Sequence, residues 1–173
     1  MIRVVSGEFG GRKLVVPNGL ATRPSTDKVR QAVFNSLDSA GLLDGAAVAD
    51  LFAGSGALGI EALSRGAESC VFVERDRAAL QALRTNIEVL GLTSRTTVVT
   101  SDVPAWAPAL RGMDLALVDP PYEFDGWDHL LTVLQVPFVV AEAGHEIQPP
   151  IGWEALKSRR YGRTWVTQLE RVA

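Results

Sequence analysis

The chain has 173 residues, of which 47% are hydrophobic and 21% are charged, as is typical of one compact globular domain with a full core. Its single cysteine, Cys70, excludes an internal disulfide and a cysteine-based metal cluster, and no metal site is expected. No apolar run approaches the roughly 20 residues of a membrane-spanning helix. Because the opening residues also lack the apolar core of a secretory signal, we expect a cytoplasmic protein.

The net charge of −3 is unevenly distributed along the chain. Residues 1–30 carry six basic and two acidic side chains, and residues 154–173 carry five basic and two acidic ones, so the middle has a net charge of −10. An acidic total argues against an indiscriminate nucleic-acid-binding protein. Basic ends on an acidic middle fit a local phosphate-binding face or ordinary solvated surface equally well.

The N-terminus is expected to form a β-hairpin extension over residues 1–20, with strands at 3–5 and 13–16. Thr26 is then expected to cap a helix that runs to about residue 40. Three apolar side chains at helical spacing predict its core face, namely Val29, Val33 and Leu37. Arg30 and Phe34 share a different face at i, i+4.

From residue 46 onward, predicted strands alternate with predicted helices. The strands are expected at 46–52, 70–74, 96–100, 115–118 and 137–142, and the helices at 58–65 and 77–90. Repeated βα units predict a parallel sheet with helices on both faces. Segments 156–161 and 164–170 predict a closing antiparallel hairpin. The pattern favours a Rossmann-like, mostly parallel seven-stranded α/β fold of the methyltransferase type over residues 21–173.

A glycine-rich loop follows the first strand of this alternating region. Gly54, Gly56 and Gly59 form G-x-G-x-x-G, which permits a tight turn and a close approach of the backbone to a ligand. The pattern alone is weak evidence. Glu74 ends the next strand, 20 positions after Gly54, where a carboxylate accepts hydrogen bonds from ribose hydroxyls. The combination predicts a nucleoside-binding site.

Acidic residues around the loop favour one class of nucleoside cofactor. Asp50 precedes the glycines, whereas the pyrophosphate of NAD prefers N–H donors and a helix N-terminus. S-adenosylmethionine carries an ammonium and a sulfonium and no phosphate, so nearby carboxylates suit it. Asp102, after the third strand, is placed to accept from an adenine amino group, or equally to cap a helix ahead of Pro104.

The motif Asp119-Pro120-Pro121-Tyr122 follows an apolar strand, at the end where open α/β sheets bind ligands. An exocyclic amine on a base is a poor nucleophile because its lone pair is delocalised into the ring. A carboxylate at Asp119 and the carbonyl of Pro120 are suited to bind both N–H groups, and consecutive prolines fix these acceptors in advance. Tyr122 would stack on a base that has left its own stack.

These residues resemble the RsmD family, bacterial methyltransferases that act on a guanine N2 of small-subunit ribosomal RNA. The resemblance covers nearly the whole chain. The residues that carry it are found at 3–7, 11–14, 22–30, 34–37, 50–59, 61–62, 64–67, 73–74, 119–122 and 161–162. The stretches 22–34 and 64–67 are the most specific, since many amino-methyltransferases share the glycine loop and the Asp-Pro-Pro-Tyr motif. The acidic segment 123–135 departs from the family pattern.

The resemblance implies S-adenosylmethionine as cofactor and small-subunit ribosomal RNA as partner, within the assembled or assembling 30S subunit. A monomer without metal or membrane contact is expected. The implied cofactor contacts are Asp50, Phe52, Gly54, Gly56, Glu74, Asp102 and Thr26. The implied catalytic pocket is Asp119, Pro120, Pro121 and Tyr122. The implied RNA contacts are Arg12, Lys13, Arg23, Arg30 and Phe34.

Other functions fit parts of the pattern. Asp-Pro-Pro-Tyr alone does not separate guanine N2 from adenine N6, so an adenine-N6 methyltransferase acting on DNA or RNA is the first alternative. A chain of this length has no room for a large target-recognition domain, which argues against a sequence-specific DNA enzyme. A non-catalytic RNA-binding ribosome-assembly factor is the second alternative. An intact Asp119 and an intact glycine loop count against it.

Overall fold

The computed structural model describes residues 2–18 and 26–172. Within them the strands are β1 (Ile2–Arg3), β2 (Lys13–Leu14), β3 (Ala47–Leu51), β4 (Ser69–Glu74), β5 (Thr96–Thr100), β6 (Leu115–Val118), β7 (Phe138–Ala143), β8 (Trp153–Tyr161) and β9 (Thr164–Arg171). The α-helices are α1 (Asp27–Ser39), α2 (Ala57–Ser64), α3 (Arg77–Val89), α4 (Val103–Trp106) and α5 (Trp127–Val133). Single 3-10 turns occur at Thr93–Arg95 and Ala107–Ala109.

The central sheet has seven strands in the order β5-β4-β3-β6-β7-β9-β8. Strands β3 to β7 run parallel, whereas β9 pairs antiparallel with both β7 and β8. This confirms the predicted fold, including the closing hairpin. The strand order reverses between β3 and β6, which places the ligand crevice of such a sheet at the carboxyl ends of these strands.

Helices cover both faces of the sheet, and each face has its own hydrophobic cluster. On one face, α1, α2 and α3 contribute Leu37, Ile60 and Leu83, respectively, to the first cluster. On the other, α4 and α5 pack over a second cluster that includes Val103 and Leu130. Strands β3 and β6 are almost entirely apolar because helices cover both faces of the sheet and bury these strands.

Helix α1 begins as predicted, because the Thr26 hydroxyl accepts a hydrogen bond from the Val29 N–H at 3.2 Å. The predicted core face was incomplete, however. Phe34 has no exposed surface and Arg30 is only 1% exposed. Burial of a guanidinium is costly unless it is paired, and Arg30 Nη2 donates to Asp27 Oδ1 at 2.6 Å. Both residues therefore face the core, not a separate surface.

The N-terminal hairpin is confirmed, but its strands are two residues long and shorter than predicted. Beyond the ladder, side chains from the helices take over the backbone hydrogen bonds. Val5 N–H donates to Glu61 Oε1 at 2.8 Å, and Val15 N–H donates to Asn86 Oδ1 at 2.8 Å. Polar groups buried away from water must be paired, and here the pairing is with side chains 56 and 71 residues away in sequence.

The hairpin rests on the C-terminal end of α2. Ser64 Oγ donates to the Ser6 carbonyl at 2.6 Å and accepts from the Phe9 N–H at 2.9 Å. Gly7 approaches so closely that a Cβ there would lie 2.0 Å from the Ser64 carbonyl oxygen. The hairpin forms a sheet of its own, and its treatment as a unit distinct from residues 21–173 stays a prediction.

The segment 123–135 contains a helix that its acidic composition did not indicate. In α5, Trp127, Leu130 and Leu131 are buried, and the indole of Trp153 donates to the Leu131 carbonyl at 2.8 Å. The apolar spacing had been obscured by exposed acids between the core positions.

Among residues 2–18 and 26–172, no helix is long and apolar enough to cross a bilayer.

Candidate active site

A cavity of about 600 Å³ opens at the carboxyl ends of β3, β4, β5 and β6. It therefore lies where the strand order reverses. The strands that lead into the glycine loop and into the Asp-Pro-Pro-Tyr motif both end there. Most of the predicted cofactor and target-base residues line it, namely Asp50, Phe52, Gly54, Glu74, Asp102, Asp119, Pro120, Pro121 and Tyr122. Parallel strands thus bring together two motifs that are more than 60 residues apart in the sequence.

The three loop glycines serve different physical needs. Gly54 has φ +58° and lines the cavity, and a Cβ built there would meet no atom of residues 2–18 or 26–172 within 4 Å. Gly56 has φ +89°, and a Cβ there would lie 2.5 Å from Leu83 Cδ1. A Cβ on Gly59 would lie 2.4 Å from the ring of Phe72. Only Gly54 borders the cavity, whereas the other two let α2 pack against its neighbours.

Phe52 adopts φ +62° without being a glycine. The left-handed region costs a non-glycine residue about 1–3 kcal/mol, and such strain persists only where surrounding structure enforces it. The ring packs edge-on against Phe124 with centroids 5.2 Å apart. Because Phe124 lies two residues after Tyr122, this contact joins the segment before the glycines to the segment after the Asp-Pro-Pro-Tyr motif.

Glu74 is held in place by three backbone amides. Its Oε1 accepts from the Gly54 N–H at 2.8 Å, and its Oε2 accepts from the N–H groups of Arg75 and Asp76, both at 2.8 Å. An ionised carboxylate offers about four lone-pair sites, so roughly one remains for a ligand donor. The carboxylate is consequently fixed both in position and in the direction of its remaining acceptor site.

Asp50 is 1% exposed and lies in the cavity wall. Its Oδ2 accepts from the Gly59 N–H at 2.9 Å, while its Oδ1 has no hydrogen-bond partner among the residues described. Burial raises the pKa of this carboxyl well above its usual range, against the opposing effect of the Gly59 amide. A buried acceptor without a partner suits a cationic or N–H donor group of a ligand.

The wall of the cavity is acidic. Six of its residues carry a carboxylate and two carry a guanidinium. Arg75, one of the two, lies 3.4 Å from Asp102 Oδ1 at the exposed rim. Asp102 occupies the N-cap position of α4 ahead of Pro104, as the capping alternative predicted, although its side chain makes no capping hydrogen bond with the described residues. A wall of this charge disfavours a pyrophosphate and favours a ligand with positive charge.

The Asp119 motif forms a turn directly after β6. The Asp119 N–H donates a long 3.5 Å hydrogen bond to the Leu51 carbonyl, and the Phe124 N–H donates to the Pro121 carbonyl at 3.0 Å. Tyr122 is 46% exposed. Its ring lies against Gly144, where a Cβ would come within 2.9 Å of Cδ1. The turn thus presents an acid and an accessible aromatic ring beside the cavity.

Some predicted site residues lie elsewhere. Thr26 is exposed and Gly56 is packed, and neither lines the cavity. Arg12 and Lys13 are exposed on the hairpin, outside the cavity wall. Arg23 lies outside the described residues. Phe34 has no exposed surface, and Arg30 is 1% exposed although it lines the cavity. Their roles as RNA contacts stay predictions.

Sequence reasoning missed Asn86, which connects the cofactor loop to the chain leaving the hairpin. Its Nδ2 donates to the Val15 carbonyl at 2.9 Å and to the Ser55 carbonyl at 3.0 Å. Val16 and Pro17, the next residues, line the cavity. No local signal marks an asparagine inside a helix for such a role.

Among residues 2–18 and 26–172, no cluster of His, Cys, Asp or Glu could hold a metal ion.

Comparison with known proteins decides the family. The model of a family described as conserved hypothetical protein 95 matches residues 2–170. The chain is 41% identical over 160 residues to the putative rRNA methyltransferase YlbH of Bacillus subtilis, covering 86% of each protein. It is 40% identical over 121 residues to ribosomal RNA small subunit methyltransferase D of Escherichia coli, covering 70% of this chain and 60% of that enzyme. The chain belongs to the RsmD family.

Solved structures agree with this assignment. The putative methyltransferase yhhF from Escherichia coli superposes on the RsmD-family chain with a TM-score of 0.85 at 33% identity, covering 99% of this chain and 98% of that one. The putative methylase HI0767 from Haemophilus influenzae gives a TM-score of 0.81 at 25% identity. The short hairpin, the sheet and the closing hairpin of this RsmD-family member are therefore shared over nearly their full length.

Proposed function

We propose that this RsmD-family protein transfers a methyl group from S-adenosylmethionine to the exocyclic N2 of a guanine in small-subunit ribosomal RNA. The observation that carries the proposal is the cavity itself. Its lining includes buried Asp50 and anchored Glu74, and it also includes Asp119 and exposed Tyr122. A cationic nucleoside and a flipped base would meet between them. The names of the curated relatives supply the RNA class.

The residues on the nucleoside side fit S-adenosylmethionine. Asp50 Oδ1 lacks a partner among the described residues and would accept from the ammonium group. Glu74 retains about one acceptor site for a ribose hydroxyl. The open space over Gly54 leaves room for a ligand atom against the backbone. When bound, the cofactor supplies a methyl group on a positively charged sulfur. The acidic wall argues against NAD.

On the base side, Asp119 and the Pro120 carbonyl would accept the two N–H groups of the target amine. The lone pair is then free to face the methyl donor, and Tyr122 would stack on the ring. Because Pro120 is buried and the two prolines fix the turn before any ligand binds, little reorganisation is needed during transfer. The methylated amine becomes cationic and must lose a proton, which Asp119 or water would accept.

The substrate is proposed to be the assembled or assembling 30S subunit, contacted by a monomeric enzyme in the cytoplasm. Exposed Arg12 and Lys13 on the hairpin remain proposed phosphate contacts, and so does Arg23. A shaped ribonucleoprotein surface suits a protein with a net charge of −3, because general attraction to RNA would be weak. Adenine N6 is the competing target, since nothing in the turn itself distinguishes the two amines.

Transfer of labelled methyl from S-adenosylmethionine to three substrates tests the proposal. The substrates are unmethylated small subunits, free small-subunit RNA and duplex DNA, and mass spectrometry identifies the modified nucleoside. N2-methylguanosine on subunits or their RNA is expected. Label on adenine would retain the chemistry and overturn the target. If S-adenosylmethionine binds and none of the three substrates is labelled, that result would contradict ribosomal RNA methylation.

A further inference from the structure

The tip of the β8–β9 hairpin carries a concentrated positive charge that the active site does not use. Between residues 157 and 163 there are four basic side chains and no acidic one, namely Lys157, Arg159, Arg160 and Arg163. The whole protein has a net charge of −3, so the chain without these four side chains carries −3 − 4 = −7. This set of four residues is called the hairpin tip below.

None of the four basic side chains is neutralised within the described part of the chain. No carboxylate of residues 2–18 or 26–172 lies within 4 Å of them, although the same criterion pairs Arg3, Arg30, Arg65, Arg75 and Arg95 with acids. Arg160 alone among the four forms a side-chain hydrogen bond with the described residues, donating from Nε to the Gly162 carbonyl at 2.8 Å and so stabilising the turn. Arg159, Arg160 and Arg163 are exposed to solvent.

Sheet topology puts the hairpin tip at the same edge as the cavity. Strand β9 runs antiparallel to β7, and β8 runs antiparallel to β9, so β8 ends at the edge where β6 and β7 end. Tyr161 pairs with Thr164 just beyond the Ala143–Trp165 pair. Strand β8 is three strands from β6, or roughly 14 Å at 4.7–4.9 Å per strand. Asp119 follows β6 directly.

The positive charge is also spread over both faces of the hairpin. Arg159 pairs with Val166 and shares its face, on the side of α1, whereas Arg160 pairs with Trp165 and faces the other way. Arg163 lies in the turn itself. Since β8 is the edge strand of the sheet, no neighbouring strand shields these side chains. A strand of RNA passing the tip could be contacted from either face.

We propose that the hairpin tip binds backbone phosphates of the ribosomal RNA that flank the target base. The inference rests on the proposed function and adds to it a second docking surface, separate from the N-terminal hairpin. A polyanion fits unpaired cations placed beside the cavity rim, and phosphate contacts fix register without reading sequence. The acidic cavity wall repels phosphates, so anchoring at a distance is what an RNA substrate of this site requires.

The test compares two double variants that lose the same charge. Arg159→Gln with Arg163→Gln removes two cations from the hairpin tip. Arg84→Gln with Arg111→Gln removes two exposed cations from α3 and from the loop before β6, outside the hairpin. Full-length proteins are assayed for binding to unmethylated small subunits and to protein-free small-subunit RNA over a range of salt concentrations. Binding of S-adenosylhomocysteine and size-exclusion profiles are measured in parallel, because edge-strand charges also prevent association.

The hairpin variant is expected to bind subunits and RNA about tenfold more weakly and to reduce the salt slope by roughly 1.4–1.8, the value for two phosphate contacts. Its affinity for S-adenosylhomocysteine and its rate at saturating RNA should equal those of the wild type. The control variant should bind like the wild type. Equal binding and slope for both variants would overturn the proposal. So would a defect on subunits with none on free RNA, because it would identify an acidic ribosomal protein as partner. Both outcomes are measured as binding affinities. They can therefore be distinguished from a failure of the proposed function, in which the wild-type protein methylates no RNA.

Discussion

The carboxamide of Asn86 holds the main chain of Val15 from both sides, accepting from its N–H at 2.8 Å and donating to its carbonyl at 2.9 Å. The same Nδ2 also donates to the Ser55 carbonyl in the glycine loop. One side chain on α3 therefore fixes two segments that line the cavity. A change at Asn86 should be felt both in stability and in cofactor binding.

Asn86→Ala removes three hydrogen bonds, one buried and two partly buried, of about 1 kcal/mol each. We expect a loss of about 3 kcal/mol in the free energy of unfolding, or a Tm lower by about 6–12 °C for a domain of this size. Affinity for S-adenosylhomocysteine should fall about tenfold because the loop loses its support. Thermal denaturation and calorimetric titration measure both effects. Thr85→Ala, an exposed change on the same helix, is the control, and an equal loss there would refute the specific role of Asn86.

Asp50→Asn should stabilise the ligand-free protein. Burial raises the pKa of Asp50, so the folded protein retains a proton that the unfolded chain releases above a pH of about 4. The contribution of Asp50 is therefore fully present below the unfolded pKa and is lost as the pH rises through the raised pKa. Asparagine has no such dependence, and we expect it to gain about 1 kcal/mol, or 2–4 °C in Tm, at neutral pH.

Ligand binding should change in the opposite direction. A cationic group beside Asp50 favours the ionised carboxylate, so affinity for S-adenosylhomocysteine in the wild type should increase as the pH rises through the raised pKa. Asp50→Asn should weaken binding at least tenfold and abolish this pH dependence. Calorimetric titrations between pH 5 and 8 check both statements, with exposed Asp44→Asn as control. A variant that binds as tightly as the wild type would disprove the proposed contact.

Two glycines of the loop should fail in different ways when changed to alanine. In Gly59→Ala the new methyl would lie 2.4 Å from Phe72, and such overpacking costs about 1–3 kcal/mol of stability. In Gly54→Ala the methyl meets no atom within 4 Å in the described part of the chain, and the strain of φ +58° costs about 1 kcal/mol. We expect the Gly54 variant to lose more cofactor affinity and the Gly59 variant to lose more stability. Tm and titration values in the reverse order would contradict this division.

Glu61→Gln should release the N-terminal hairpin. The Glu61 carboxylate accepts from Val5 and Ser6 and lies 2.9 Å from Arg65 Nε and 3.6 Å from Arg30 Nη1. Removing its charge leaves buried cations poorly compensated, at a cost of about 3–5 kcal/mol. Limited proteolysis should then cut within residues 2–18 at a far higher rate than in the control, exposed Glu68→Gln. Equal resistance of the two variants would show that the hairpin is held by other contacts.

Local patterns predicted most of the fold and one half of the site. Strand and helix periodicity predicted β3 to β9, and the two motifs predicted which residues line the cavity, because each motif is encoded within a few consecutive residues. The contacts of Glu61 and Asn86 were not predictable in this way. Their partners are backbone groups 56 and 71 residues away, and any polar residue on a helix could make such bonds.

Arg30 and Phe34 show a second limit of sequence reasoning. The spacing of residues in a helix predicts which of them share a face. Whether an arginine on that face is exposed depends on carboxylates from other elements. Here Asp27 and Glu61 lie beside Arg30 and allow it to be buried. The cations of the hairpin tip lie in the basic C-terminal end, for which the charge count alone fitted a phosphate-binding face and solvated surface equally well.

The measurement that tests the account most directly compares Asp119→Asn with Asp125→Asn in labelled methyl transfer to unmethylated small subunits. Both acids follow β6, but only Asp119 lines the cavity, and Asp125 is exposed. We expect the Asp119 variant to lose at least 100-fold in rate, in line with the loss of an oriented polar group, while S-adenosylhomocysteine still binds. The Asp125 variant should retain wild-type activity. Transfer at the wild-type rate by Asp119→Asn, or loss of cofactor binding in that variant, would contradict the central claim that Asp119 holds the target amine.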